Sequence, residues 1–148
     1  MQGVAHCQYM KMNVPLLNQV IDAIKADPKR LDMQYFVHEK NSEDPEPGCG
    51  TVGCIAGWAV LLKNHRRGEP MGYVCQRLSK ALGQGNSSFP VEAQELLGLS
   101  AKQATKLFYL DEWPAPFREA YATGNNAKRR VQVTVDRIKH FVKTQGRD

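Results

Sequence analysis

The sequence has no long apolar run. Its longest stretch free of charged or strongly polar side chains is Val52–Leu62. Those eleven residues fall well short of the roughly 20 that a membrane-spanning helix needs. No charged segment followed by an apolar stretch opens Met1–Met12, so no signal peptide is read there. Cysteine is sparse, with four residues at positions 7, 49, 54 and 75. Their spacing fits no disulfide framework, and without an export signal they are expected to be reduced thiols. There is no internal repeat, no low-complexity tract and no linker able to separate two domains. These absences exclude a solenoid and a disulfide-stapled miniprotein. They leave one domain over residues 1–148, expected to be soluble and cytoplasmic, with no membrane partner.

What is present is ordinary globular material. Apolar residues make up 42% and charged residues 24% of the 148, close to the average for soluble domains. A chain of this size buries roughly two-thirds of its surface on folding, enough for a core without staples. The net charge of +5 is unevenly placed. Residues 1–126 carry 13 basic and 13 acidic side chains, whereas residues 127–148 carry seven basic against two acidic. A local basic surface of this kind can attract an anionic partner.

The periodicity predicts a mostly α, single compact helical domain around a buried central helix, with room for one short strand. Asn13 can cap a first helix, Pro15 fits its first turn, and Leu17, Val20, Ile21 and Ile24 form one stripe. Asp27-Pro28 ends it. Leu31–Val37 is the best place for a short strand or an extended segment, and Asn41–Gly50 reads as a loop. Val52–Leu62 has no polar face, which predicts the central helix, with Thr51 as N-cap and Gly68 as terminator. Short helices follow over Tyr73–Leu82 and Pro90–Leu97, the second closed by Gly98. Ser100 and Gln103 form a capping-box pattern, opening a helix that runs to about Leu110. A short helix spans Phe117–Tyr121. The last runs over about Ala127–Thr144, with Val131, Val135, Ile138 and Val142 as a narrow core-facing seam.

The run Cys49-Gly50-Thr51-Val52-Gly53-Cys54-Ile55-Ala56-Gly57-Trp58-Ala59 resembles a motif of small uncharacterised proteins of bacteria and their phages. Leu31-Asp32-Met33 before the motif, Glu95–Leu99, Leu107-Phe108, Trp113-Pro114 and Arg137-Ile138 look similar too, so the resemblance spans most of residues 28–142. It implies a fold more than an activity. The phage association implies an accessory protein that interferes with a host process.

Two readings of the motif stand side by side. Glycines at a helix start let a ligand approach the backbone, and free N–H groups there favour phosphate. That makes Cys49, Gly50, Thr51, Val52 and Gly53 candidate ligand-binding residues, although neither the P-loop nor the dinucleotide-binding spacing is present. Alternatively, Gly53 and Gly57, one turn apart, allow a neighbouring helix to pack closely. Cys49, Cys54, His65 and Cys75 would be needed for a Cys₃His zinc site, but the spacings do not match common zinc modules. No metal and no cofactor are expected. Cys49 is the one cysteine placed for nucleophilic chemistry, with His38 or His65 as its base. Tyr109 and Trp113 are candidate stacking surfaces for a base, although most rings near the two prolines should be core.

The chain therefore reads first as a non-catalytic binding protein for a phosphate-bearing small molecule or signalling nucleotide. The rival is a module that binds a host protein or nucleic acid through the final helix, with Arg129, Arg130 and Lys139 touching phosphates. Against the rival, helical geometry spreads the charges of Lys128, Arg130, Arg137, Lys139 and Lys143 around the solvent face. An enzyme ranks third, because no complete set of nucleophile, base and stabilising donors is visible.

Overall fold

The computed structural model describes residues 11–34, 37–39, 51–65, 68 and 88–148. The helix predicted over Tyr73–Leu82, the loop Asn41–Gly50 and three of the four cysteines (Cys7, Cys49 and Cys75) lie outside the described residues. Within them the chain is mostly helical, and none of the helices is long and apolar enough to cross a membrane.

Helix α1 runs over Val14–Ala26. Its start follows from Asn13, whose side-chain oxygen accepts from the Leu16 N–H at 3.1 Å, with Pro15 in the first turn where no N–H is needed. Leu16, Leu17, Val20, Ile21 and Ile24 are buried on one face. Asp27-Pro28 ends the helix as expected, and Pro28–Arg30 forms a single tight 3₁₀ turn. The extended segment is placed differently from the prediction. Leu31 makes only an isolated bridge to Gly53, and the strand proper, β1, is Val37–Glu39. It pairs antiparallel with β2, Thr51–Gly53, in the register Val37 opposite Gly53.

Strand β2 corrects the start of the central helix. Thr51 and Val52 are β-branched and have a partner strand, so pairing prevails over their apolar continuity with the helix. Helix α2 is Ile55–Asn64, and Cys54, not Thr51, is its N-cap residue. Its burial is as the missing polar face predicts: Ile55–Leu61 are all buried. Helix α3, Ser88–Leu97, is the neighbour most closely packed on α2, with α1 on another side.

Gly98 terminates α3 at φ +65°, a left-handed conformation that glycine adopts without strain. Helix α4, Ala101–Phe108, carries the predicted capping box in full. The Ser100 hydroxyl accepts from the Gln103 N–H at 3.1 Å, and the Gln103 side chain accepts from the Ser100 N–H at 2.9 Å. The helix stops earlier than predicted, because Leu110–Glu112 tightens into a 3₁₀ turn ahead of Trp113-Pro114. Helix α5, Ala115–Ala122, follows. Helix α6, Ala127–Lys143, is capped by Asn126, which accepts from the Arg129 N–H at 2.8 Å.

The narrow seam predicted for α6 is too narrow. Val131, Val133, Thr134, Val135, Arg137, Ile138 and Phe141 are buried, while Val142 is only half-buried. The helix packs against both α1 and α5, and two neighbours demand a wider face than one. The helices contribute to a shared hydrophobic cluster that includes Trp58, Trp113, Phe89, Phe108 and Phe141.

Candidate functional site

The glycine-cysteine motif is built into the fold as a joint. Gly53 is paired to β1 on one side, and its carbonyl accepts from the Asp32 N–H at 3.0 Å. One residue later the chain turns into α2, whose first residues Ile55, Ala56 and Gly57 are buried among protein atoms. The expected cradle of free N–H groups at Thr51–Gly53 is therefore not a helix start: Thr51, Val52 and Gly53 form the strand before it. Cys49 and Gly50 lie outside the described residues. Trp58, one turn into α2, donates its indole Nε1 to the Arg30 carbonyl at 3.1 Å, which ties the helix to the 3₁₀ turn that follows α1.

Cys54 is fully enclosed. Burial pushes its thiol up to about 11, against the opposing pull of the Gly57 and Ala56 backbone N–H groups. It therefore stays protonated and inert at neutral pH. His65 sits exposed at the far end of α2, well separated in sequence from the Cys54 end. Among the described residues no cluster of three His, Cys, Asp or Glu side chains is placed to hold a metal ion.

The two candidate stacking rings part company. Trp113 is 1% exposed, donates its Nε1 to the Leu107 carbonyl at 2.9 Å and meets Tyr121 edge-on at 5.7 Å. It is a core residue and offers no face to a ligand. Tyr109 is 44% exposed.

The basic helix also changes. Arg129 and Lys139 are exposed, but Arg130 turns back to donate to the Gly124 carbonyl at 3.0 Å. Arg137, expected on the solvent face, is completely buried. It falls at the centre of the α6 core face, flanked by Thr134, Ile138 and Phe141, and its guanidinium stacks over the rings of Phe141 and Phe117 at 5.4 and 5.8 Å. Its charge is met by Asp148, whose carboxylate accepts from both terminal nitrogens, while the Lys106 carbonyl accepts a further bond at 3.0 Å. His140 Nδ1 lies 2.6 Å from the same carboxylate, and Lys106 Nζ donates to the Asp148 main-chain oxygen at 2.6 Å. Burial raises the Asp148 carboxyl, but the hydrogen bond and charge of Arg137, with those of His140, outweigh it and hold the group below its ordinary value.

This clamp folds the end of the chain back across α4. Gln145 and Gly146 take left-handed conformations, φ 55° and 70°, and the Gly146 N–H bonds to the Phe141 carbonyl at 2.8 Å. Gln103 reaches over the turn and donates to the Gln145 carbonyl at 2.9 Å. Between this turn, Gly98 and the residues ahead of α1 lies a groove of about 650 Å³, lined by Lys11, Met12, Val14, Gln103, Val142 and Arg147 among others. Lys11 and Arg147 are exposed and cationic, whereas Met12, Val14 and Val142 are half-buried and apolar. A second, smaller groove of about 420 Å³ runs past Asp32, Tyr121 and Arg130, where acid and base stand together.

None of the 650 Å³ groove's residues was a candidate in the sequence, because they come from three distant segments. The buried arginine had a signal: Thr134, Arg137, Ile138 and Phe141 share one helical face by their three- and four-residue spacing. No family model matches the chain, and no curated protein or solved structure shows significant similarity to it.

Proposed function

We propose that the protein is a non-catalytic, cytoplasmic binding protein for a phosphate-bearing small molecule, a nucleotide being the leading class. Its seat is the groove between Lys11 and Arg147. The observation that carries this reading is the groove's make-up: about 650 Å³, within the usual size range of small-molecule pockets, with two cations over a partly apolar lining. A guanidinium presents a planar fork to phosphate oxygens and an ammonium adds a point charge. Met12, Val14 and Val142 suit the apolar faces of a base or sugar. The site differs from the Cys49–Gly53 stretch favoured by the sequence, of which Thr51–Gly53 form strand β2. We further propose an accessory role, in which binding withdraws a signalling nucleotide from a host.

Calorimetric titration of ATP, GTP and inorganic phosphate tests the reading. Nucleotide binding to the wild type is expected. Lys11→Ala and Arg147→Ala should each weaken it about tenfold or more, the scale of a lost charge-assisted hydrogen bond. Thr51→Val should leave it unchanged. A wild type that binds none of the three probes overturns the proposal, and so does a Lys11/Arg147 double variant that binds as the wild type does.

A further inference from the structure

Arg147 reaches the groove from a segment with little of its own to hold it. The residue is exposed, and its side chain bonds within the same turn, with Nη2 donating to Gln145 Oε1 at 2.8 Å. The anchoring comes from the residues around it. Before it, the Gly146 backbone is pressed under Gln103 and Phe141, so closely that a Cβ there would stand 2.9 Å from Gln103 Cγ. After it, Asp148 plugs into the Arg137 pocket with only 7% of its side chain exposed. That pocket is built: a fully buried guanidinium, two aromatic rings, the Lys106 carbonyl and ammonium, and His140 at its edge. The Nε of Arg137 is buried with no hydrogen-bond partner among the described residues, so the carboxylate carries most of what satisfies this cation.

We infer that Asp148 is a positioning residue of the groove: seated on Arg137, it straps residues 145–148 against α4 and thereby holds Arg147 at the groove wall. This rests on the reading of the groove as an anion site and adds its means of control. The cation at one wall is present only while the strap is closed. A ligand that needs Arg147 must favour the closed strap, and by linkage its binding tightens the strap in return. Residues 103 and 106 on α4, 137 and 140 on α6 and 145–148 thus act as one coupled unit.

Asp148→Asn keeps the size of the side chain and removes its charge, and circular dichroism first establishes that the variant is folded. Two readouts separate the possibilities. Amide hydrogen exchange at Gly146 and Arg147 reports the strap with no ligand present, and ATP titration reports the groove. The expected result is at least tenfold faster exchange at both amides together with at least fivefold weaker ATP binding, with Asp148→Glu restoring much of each. Arg147→Ala should lower affinity while leaving the Gly146 amide protected. Unchanged exchange in Asp148→Asn overturns the strap. Faster exchange with unchanged ATP affinity overturns the positioning role and leaves a clasp that serves stability only. A wild type that binds no phosphate probe removes the groove reading and the coupling with it, an outcome distinct from the other two because it precedes any substitution.

Discussion

The main chain of Lys11 occupies the space in which a side chain on Gly98 would begin: a Cβ built on Gly98 stands 2.0 Å from the Lys11 carbonyl oxygen. Two hydrogen bonds fix this approach, from the Asn13 N–H to the Leu97 carbonyl at 2.8 Å and from Asn13 Nδ2 to the Leu96 carbonyl at 3.1 Å. The cap residue of α1 thus also docks the chain on the end of α3, and the Lys11 wall of the groove inherits its position from that docking.

Gly98→Ala should therefore destabilise the protein on two counts. The left-handed backbone alone costs an alanine about 1–2 kcal/mol, and the clash is with main chain, which cannot swing aside. A loss of more than about 2 kcal/mol is expected in denaturant titration, with ATP affinity falling as Lys11 shifts. A variant as stable as the wild type would show that the Lys11 segment does not rest on Gly98.

Gly57→Leu probes the centre of the fold. Gly57 is buried within α2, which packs against both α1 and α3. A leucine there must displace close-packed neighbours, and about 1–3 kcal/mol or more of stability should be lost. Thermal unfolding measures it. An unchanged midpoint would mean that this side of α2 faces space, contrary to its burial.

These two glycines show what the sequence made readable. Gly98 was legible as a helix terminator because its role is local: a left-handed residue after the last apolar position. The Asn13 cap, the Ser100–Gln103 capping box and the all-round burial of α2 were legible for the same reason. The start of α2 was not, because Thr51–Gly53 became strand through pairing with Val37–Glu39, and a partner strand leaves no mark in the segment it recruits. Arg137 was misplaced because a charged side chain defaults to solvent. Asp148, eleven residues on and brought back by two left-handed residues, makes its burial tolerable together with the Lys106 carbonyl and the Phe117 and Phe141 rings. The groove lay beyond sequence reasoning, since Lys11, Gln103 and Arg147 meet only in the folded chain.

The basic end of the chain should bind nucleic acid poorly. Of the residues that gave it a sequence excess of charge, Arg137 is neutralised in the core and Arg130 is held by Gly124. Arg129 and Lys139 remain exposed but lie ten residues apart along α6. A gel shift with duplex DNA or RNA at low salt should show no complex. If one appears, replacing Arg129, Arg130 and Lys139 by Gln must weaken it and flatten its salt dependence for the helix to be the contact surface.

Cys54 supplies a test of the core that needs no ligand. In the folded chain its thiol is pushed from an ordinary 9.0 up to about 11 by burial. Between these values an unfolded chain ionises at this site and the native chain does not. The unfolded state then binds fewer protons, so stability must fall as pH rises. The contribution is fully present below pH 9 and declines through the window up to about 11, by on the order of 2–3 kcal/mol for the two-unit difference. Tyrosines and lysines titrate in the same range, so the comparison is with Cys54→Ala, which lacks the thiol and should lose that part of the slope while starting from a lower stability. Urea denaturation at pH 8, 9, 10 and 11 of both proteins gives the difference directly. Alkylation supplies the second measure: iodoacetamide at pH 8 should leave Cys54 unmodified in the native protein and label it once urea opens the core. Labelling of Cys54 in the native protein, or parallel stability profiles for the two chains, would mean that the thiol reaches solvent and that the joint between β2 and α2 is open where the structure shows it closed.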